Sequence, residues 1–219
     1  MIAGNLNKSI KNSITIEKVA FEILIEAYTI ALSKKQYDLD WTEEQFSQYL
    51  VSIMEKSSIR VRYQLCIRQE RKLHDNTYLP VGINNPKNLP RIDISIASWA
   101  FQLKIEQEFF FEAKNLCEKN WKKKSGARVS SKYYLDRYIL TGIENFRIGR
   151  YYNGAIVGYI LQGETYMVLK KIKNRLFTDS NTVRNIKKIN YINSFQNIYH
   201  SKHRIHSNIL EIKHIFFKF

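Results

Sequence analysis

The run Phe109-Phe110-Phe111-Glu112-Ala113-Lys114 constrains this chain more than any other stretch. Three consecutive aromatics must be buried on both sides, as in a strand at the centre of a covered sheet. The run leads directly into a carboxylate and an ammonium. Alternation along a strand sends Glu112 and Lys114 to the same face, about 7 Å apart. Charges carried into a core in this way need compensation. Upstream, Pro90-Arg-Ile-Asp-Ile-Ser-Ile96 alternates, with Ile92, Ile94 and Ile96 expected on one face and Arg91, Asp93 and Ser95 on the other. A hairpin centred near Gln102 and Leu103 sets Asp93 opposite Glu112. Carboxylates facing each other across a ladder repel. A hard divalent cation, which prefers oxygen ligands, would remove that repulsion.

The rest of the chain supplies the frame. Residues 13–33 read as a helix that is apolar over most of its circumference, with Lys18, Glu22, Glu26, Thr29 and Ser33 as a polar stripe that solvation explains. Thr42-Glu-Glu-Gln45 has the capping-box pattern and opens a second amphipathic helix. Residues 59–69 alternate Ile59, Val61, Tyr63, Leu65 and Ile67 against Arg60, Arg62, Gln64, Cys66 and Arg68, which predicts a half-buried strand with a basic outer face. Residues 70–90 hold all three prolines and read as a long loop. Beyond Lys114 the spacing predicts a helix over 131–144 and a buried strand over 155–161. A helix over 163–177, a basic segment from Val183 and strands near 191–199 and 208–219 complete the chain. No repeat or linker divides it, so a single domain over 1–219 is expected, with its core at about 13–161 and an elaboration at about 162–219.

Composition narrows the partners. Thirty-five basic against 20 acidic residues give a net charge of +15, which points to a polyanion. Nucleic acid and an anionic membrane surface both satisfy that, but no basic amphipathic helix favours the membrane. No apolar run approaches the ~20 residues of a membrane span. Glu17, Lys18, Glu22 and Glu26 interrupt any secretory signal. Cys66 and Cys117 form neither a CxxC nor a disulfide framework. A soluble cytoplasmic protein with no membrane partner is therefore expected.

Lys122, Lys123, Lys124 and Arg128 follow the Glu112 strand closely. Such a run is commonly a solvated loop, yet its place here would let it neutralise phosphates, with Trp121 available for packing or stacking. His200, His203 and His206 have metal-like spacing but too few ligands nearby for zinc, so a polar turn or phosphate-facing hairpin is expected. No G-x-S-x-G, P-loop or G-x-G-x-x-G is present, which removes support for acyl transfer, NTP hydrolysis and dinucleotide binding.

An Asp on one strand followed by Glu-x-Lys on the next resembles the PD-(D/E)XK nuclease superfamily. Pro90 stands three residues ahead of Asp93, and the helix–strand–strand–strand–helix–strand order over the middle of the chain is also similar. The resemblance implies an α/β fold with a restriction-endonuclease-like αβββαβ core, a central mixed sheet flanked by helices. To that core are added an N-terminal helical part and a C-terminal helix-plus-strand part. It further implies that Asp93, Glu112 and the main-chain carbonyl of Ala113 hold one or two Mg²⁺ (or Mn²⁺) ions. Lys114 then orients or deprotonates a water or stabilises phosphate charge, and Glu22 or Glu26 on the first helix approaches the metal. The implied activity is a Mg²⁺-dependent nuclease, DNA favoured, in restriction or phage defence with a protein partner for targeting or activation. The alternative is a non-catalytic nucleic-acid-binding subunit that keeps the fold.

Overall fold

The structure, a computed structural model, describes residues 15–72, 91–98, 107–151 and 153–219. Helix α1, Ile16–Lys34, starts where the Thr15 side chain accepts a hydrogen bond from the Lys18 amide, and stops at a left-handed Lys35 with φ 52°. Helix α2, Glu43–Met54, is opened by the capping box of Thr42 and Gln45. Of the strand expected over 59–69, only the stretch from Cys66 is present. The Ser57 side chain caps Ile59 and starts a short helix α3, Ser58–Arg62, which a left-handed Gln64 (φ 50°) terminates. Strand β1 therefore runs only over Cys66–Lys72. A local cap has outcompeted an alternating pattern.

Strand β2 is Arg91–Ser98 and β3 is Gln107–Cys117. A two-strand hairpin follows, β4 (Trp121–Lys122) with β5 (Arg128–Val129). Helix α4 (Ser131–Arg137) continues through a π-helical turn, Tyr138–Ile143, into α5 (Glu144–Arg147). Then come β6 (Gly154–Gln162), α6 (Thr165–Phe177), β7 (Thr182–Lys188), β8 (Ile198–Ile205) and β9 (Asn208–Lys218). The basic segment is thus an edge strand, and the strand expected over 191–199 begins only at Ile198. The result is an α/β fold whose main sheet has seven strands in the order β1-β2-β3-β6-β9-β8-β7. Its centre, β3-β6-β9, is parallel and both flanks are antiparallel. No helix among the described residues is long and apolar enough to cross a membrane.

Both faces of the sheet are covered, as the triple phenylalanine requires. Phe109 and Phe111 pack with Ile94, Val157 and Phe217 under α1 and α2. Phe110 packs with Ile156, Ile160 and Phe216 under the α4–α5 segment and α6. One rung crosses five strands: Glu112 pairs with Ile156, Ile156 with His214, His214 with Tyr199 and Tyr199 with Lys188. Gly158, opposite Lys114, is closely enclosed by side chains: an added Cβ would lie 2.6 Å from Phe216 Cδ1 and 2.8 Å from Leu116 Cδ1.

The histidine segment forms the β8–β9 hairpin, but its histidines do not all face outward. His203 is fully buried on β8, and only His206 lies in the turn before β9. A polar chain crosses the core instead. Tyr138 Oη meets His214 Nδ1 at 2.7 Å, His214 Nε2 meets Ser201 Oγ at 2.7 Å, and Ser201 Oγ meets His203 Nε2 at 2.7 Å. Burial lowers His203 to about 4 and holds His214 well below the ordinary imidazole value.

Both histidines are neutral in the folded chain, while the unfolded chain takes up their protons below about pH 6.5. Their contribution is complete above that value and is lost as pH falls beneath it. Thermal melts should therefore show Tm falling between pH 7 and 5, with a shallower acid slope in His214→Gln. Gly158→Ala should cost about 1–3 kcal/mol by overpacking, read in a urea melt as a lower midpoint with unchanged slope.

Candidate functional site

The site lies where β2 and β3 meet. Lys114 Nζ donates to Glu112 Oε1 at 2.5 Å and to the Ala113 carbonyl at 2.9 Å. Glu112 is 5% exposed and Lys114 4%. Asp93 joins them from β2: its Oδ2 accepts the Ala113 amide at 2.6 Å. The register is that of a hairpin centred between residues 102 and 103, since Ile94 pairs with Phe111 and Ile96 with Phe109. The tip of that hairpin lies outside the described residues.

Pairing between β1 and β2 skips Glu70 and Asp93, and Glu70 has φ 47°. Level with this break, on the other side of β2, the Asp93 side chain rather than a backbone carbonyl accepts the Ala113 amide of β3. The break also corrects the expected alternation, because Ile92 packs with Phe110 on the face opposite Ile94 and Ile96.

The electrostatics follow from this crowding. Burial, reinforced by the Glu112 carboxylate, pushes Asp93 up to about 8, although Lys114 and the Ala113 amide oppose the shift. Burial alone would lower Lys114. The carboxylates of Glu112, Asp93 and Glu43 outweigh it and hold the ammonium above its ordinary value. Glu112 Oε2 is buried with no hydrogen bond of good geometry, although the Tyr151 hydroxyl lies beside the carboxylate. Such an atom calls for a donor or a cation.

Asp93 opens onto a pocket of about 320 Å³ whose wall includes Glu43, Glu44, Glu70, Lys123 and Arg137. Glu112 and Lys114 are not part of that wall. Glu43, at the first position of α2, accepts from the Asn115 amide at 2.9 Å and pairs with Arg137 at 2.8 Å. Sequence reasoning missed Glu43 and Arg137. The capping box marked an acid at a helix start, but nothing local tied that helix to β3.

The other expected residues are divided between places. Lys123 Nζ donates to the Asp40 carbonyl and lines the pocket. Lys124 pairs with Asp38 at 3.0 Å, and the amides of Lys124 and Ser125 bond the Asp40 carboxylate. These two lysines therefore tie the β4–β5 hairpin to the α1–α2 turn. Lys122 and Arg128 are exposed beside a different hollow, and Trp121 packs against the helical side of the core. Glu22 and Glu26 line a separate groove of about 780 Å³ along α1, where Glu26 accepts a hydrogen bond from Ser57. The structure does not bring them to Asp93.

Among the described residues, no three His, Cys, Asp or Glu side chains gather around one point. The available donors are two carboxylates and the Ala113 carbonyl. That set suits a cation that keeps several waters, as Mg²⁺ does. The poorly bonded Glu112 Oε2 and the raised Asp93 are the features such a cation would relieve.

Because Asp93 is raised, the folded chain binds its proton more tightly than the unfolded chain does. The stability cost is absent below about pH 4 and grows as pH rises toward 8. Without metal, Asp93→Asn should raise Tm by about 2–4 °C at pH 8, about 1 kcal/mol for a chain of this size. The gain should vanish at pH 4. No protein-family model, curated protein or solved structure matches this chain, so the assignment rests on the chemistry of the site itself.

Proposed function

We propose that the chain is a Mg²⁺- or Mn²⁺-dependent nuclease that hydrolyses phosphodiester bonds, with DNA the favoured substrate. Its core would be restriction-endonuclease-like: α1, β1–β3, α4–α5 and β6, elaborated by α6 to β9. One observation carries the reading: Asp93 on β2 opens onto a pocket and is electrostatically coupled to the buried Glu112–Lys114 pair on the adjacent strand β3. A net charge of +15 supplies attraction for a polyanion.

Asp93, Glu112 and the Ala113 carbonyl would hold the ion, which acidifies a bound water and offsets phosphate charge when present. Lys114 keeps its proton and so serves as a donor to a phosphate oxygen rather than as the base that activates water. Arg137, on the pocket wall, adds a second positive group beside the scissile strand. Among the described residues there is no separate sequence-reading module, which fits a partner-directed role in restriction or phage defence.

A second reading, a nucleic-acid-binding subunit without catalysis, draws support from the burial of Glu112 and Lys114 and from the ammonium bonded across both Glu112 and the Ala113 carbonyl. Incubation with supercoiled plasmid, single-stranded DNA and RNA in Mg²⁺, Mn²⁺ or EDTA decides between the two. Metal-dependent cutting should fall about 10²-fold or more in Asp93→Ala and Glu112→Gln while binding persists. Glu112→Gln is preferred to alanine because a buried ammonium left without a partner costs about 3–5 kcal/mol. Binding without cutting in every metal, candidate partners included, selects the second reading. Cutting that survives EDTA defeats the first.

A further inference from the structure

The rung that carries Glu112 ends at a basic edge. From β3 to β7 it crosses four strand spacings, about 19 Å, and arrives at Lys188. Strands β3, β6, β9 and β7 all run in the same direction, so Lys187 and Lys188 stand at the same end of the sheet as the site. Arg184, Lys187 and Lys188 are exposed on β7, and Lys170 and Lys173 are exposed on α6. None of the five forms an ion pair with a described residue, whereas Arg175 nearby pairs with Asp136.

Helix α6 is fastened alongside this strand, since Asn185 Nδ2 donates to the Lys173 carbonyl at 2.8 Å. Tyr166, Lys170, Lys173 and Phe177 recur at helical spacing and form one stripe. Tyr166 is 71% exposed and Phe177 86%. The edge therefore combines free cations with bare aromatic rings. Lys187 and Lys188 are consecutive in regular register, so they project from opposite faces of this edge strand, and both are exposed.

We infer that β7 and the adjoining stripe of α6 form a docking rail for the sugar-phosphate backbone of nucleic acid, holding it level with the Asp93–Glu112 site about 19 Å away. The inference rests on the nuclease reading for what the rail feeds, but not for what the rail binds. Unpaired cations in a row match a row of phosphates, and ordering a strand on them releases its counterions. The exposed rings supply faces for unpaired bases at frayed or single-stranded ends.

The test compares two triple variants of the full chain. One is Lys170→Ser, Lys187→Ser and Lys188→Ser. The other removes the same charge from the opposite side, Lys34→Ser, Lys35→Ser and Lys56→Ser. Affinity for a 20-base-pair duplex, and for one of its single strands, is measured from 50 to 200 mM salt, with thermal melts to confirm folding. The rail variant should lose about 2.7 from the slope of log K against log salt on duplex, or about 2.1 on single strand. The control should keep the wild-type slope. Equal losses in both variants, no loss in the rail variant, or no binding by the wild type each overturn the rail. Metal-dependent cutting with an intact slope in the rail variant leaves the nuclease reading standing without the rail. Rail-dependent binding with no cutting in any metal does the reverse.

Discussion

A buried ion pair inside an aromatic strand is the interaction that the rest of the molecule accommodates. Glu112 and Lys114 lie between Phe110 and Leu116 on one face of β3, and both are buried. Removing two charges from water costs several kcal/mol for each ion, and their attraction repays it only with good geometry and further hydrogen bonds. Lys114 meets that condition through two acceptors, while Glu112 meets it on only one of its oxygens. Asp93 adds a second carboxyl to the same space, and its raised proton affinity reports the strain. An arrangement this costly is poor design for stability alone. Perturbed groups of this kind collect where chemistry is done.

The covering layer is shaped by the same requirement. Between α4 and α5 the chain takes a π-helical turn, a form that often marks functional positions in helices. The turn brings Gly142 against the pair, with the position of its missing Cβ only 3.6 Å from Lys114 Cγ and 3.8 Å from Ile156. Four residues earlier, Tyr138 reaches His214 on the same rung of the sheet. The helix is thus tied to the sheet by a polar contact at one point and by bare backbone at another. Around this layer, acidic groups gather at the β1–β2–β3 side, while the unpaired lysines of β7 and α6 occupy the far side.

What the sequence made legible was whatever depends on short-range pattern. The Phe109–Phe111 run marks a central strand without ambiguity, and the Thr42–Gln45 box marks a helix start. The distance between Asp93 and Glu112 along the chain was enough to count the hairpin register. Pattern failed where a local device intervened: Ser57 capping turned a strand-like alternation into α3, and the left-handed Glu70 broke the alternation around Asp93. It also failed where contacts are long-range. Glu43 bonds an amide 72 residues away, and His214 meets a tyrosine 76 residues earlier. Neither residue carries any sign of its partner in its own neighbourhood. The lysines of 122–124 looked alike in sequence, yet Lys123 and Lys124 are engaged with the Asp38–Asp40 turn and Lys122 is not.

Strand β9 is the last in sequence but sits inside the sheet, bonded to β6 on one side and to β8 on the other. Because β9 follows both of its neighbours in sequence, the β1-β2-β3-β6 and β8-β7 portions of the sheet are joined only when β9 is in place. Before that, the chain exposes the long apolar margin of β6, a surface prone to wrong pairings.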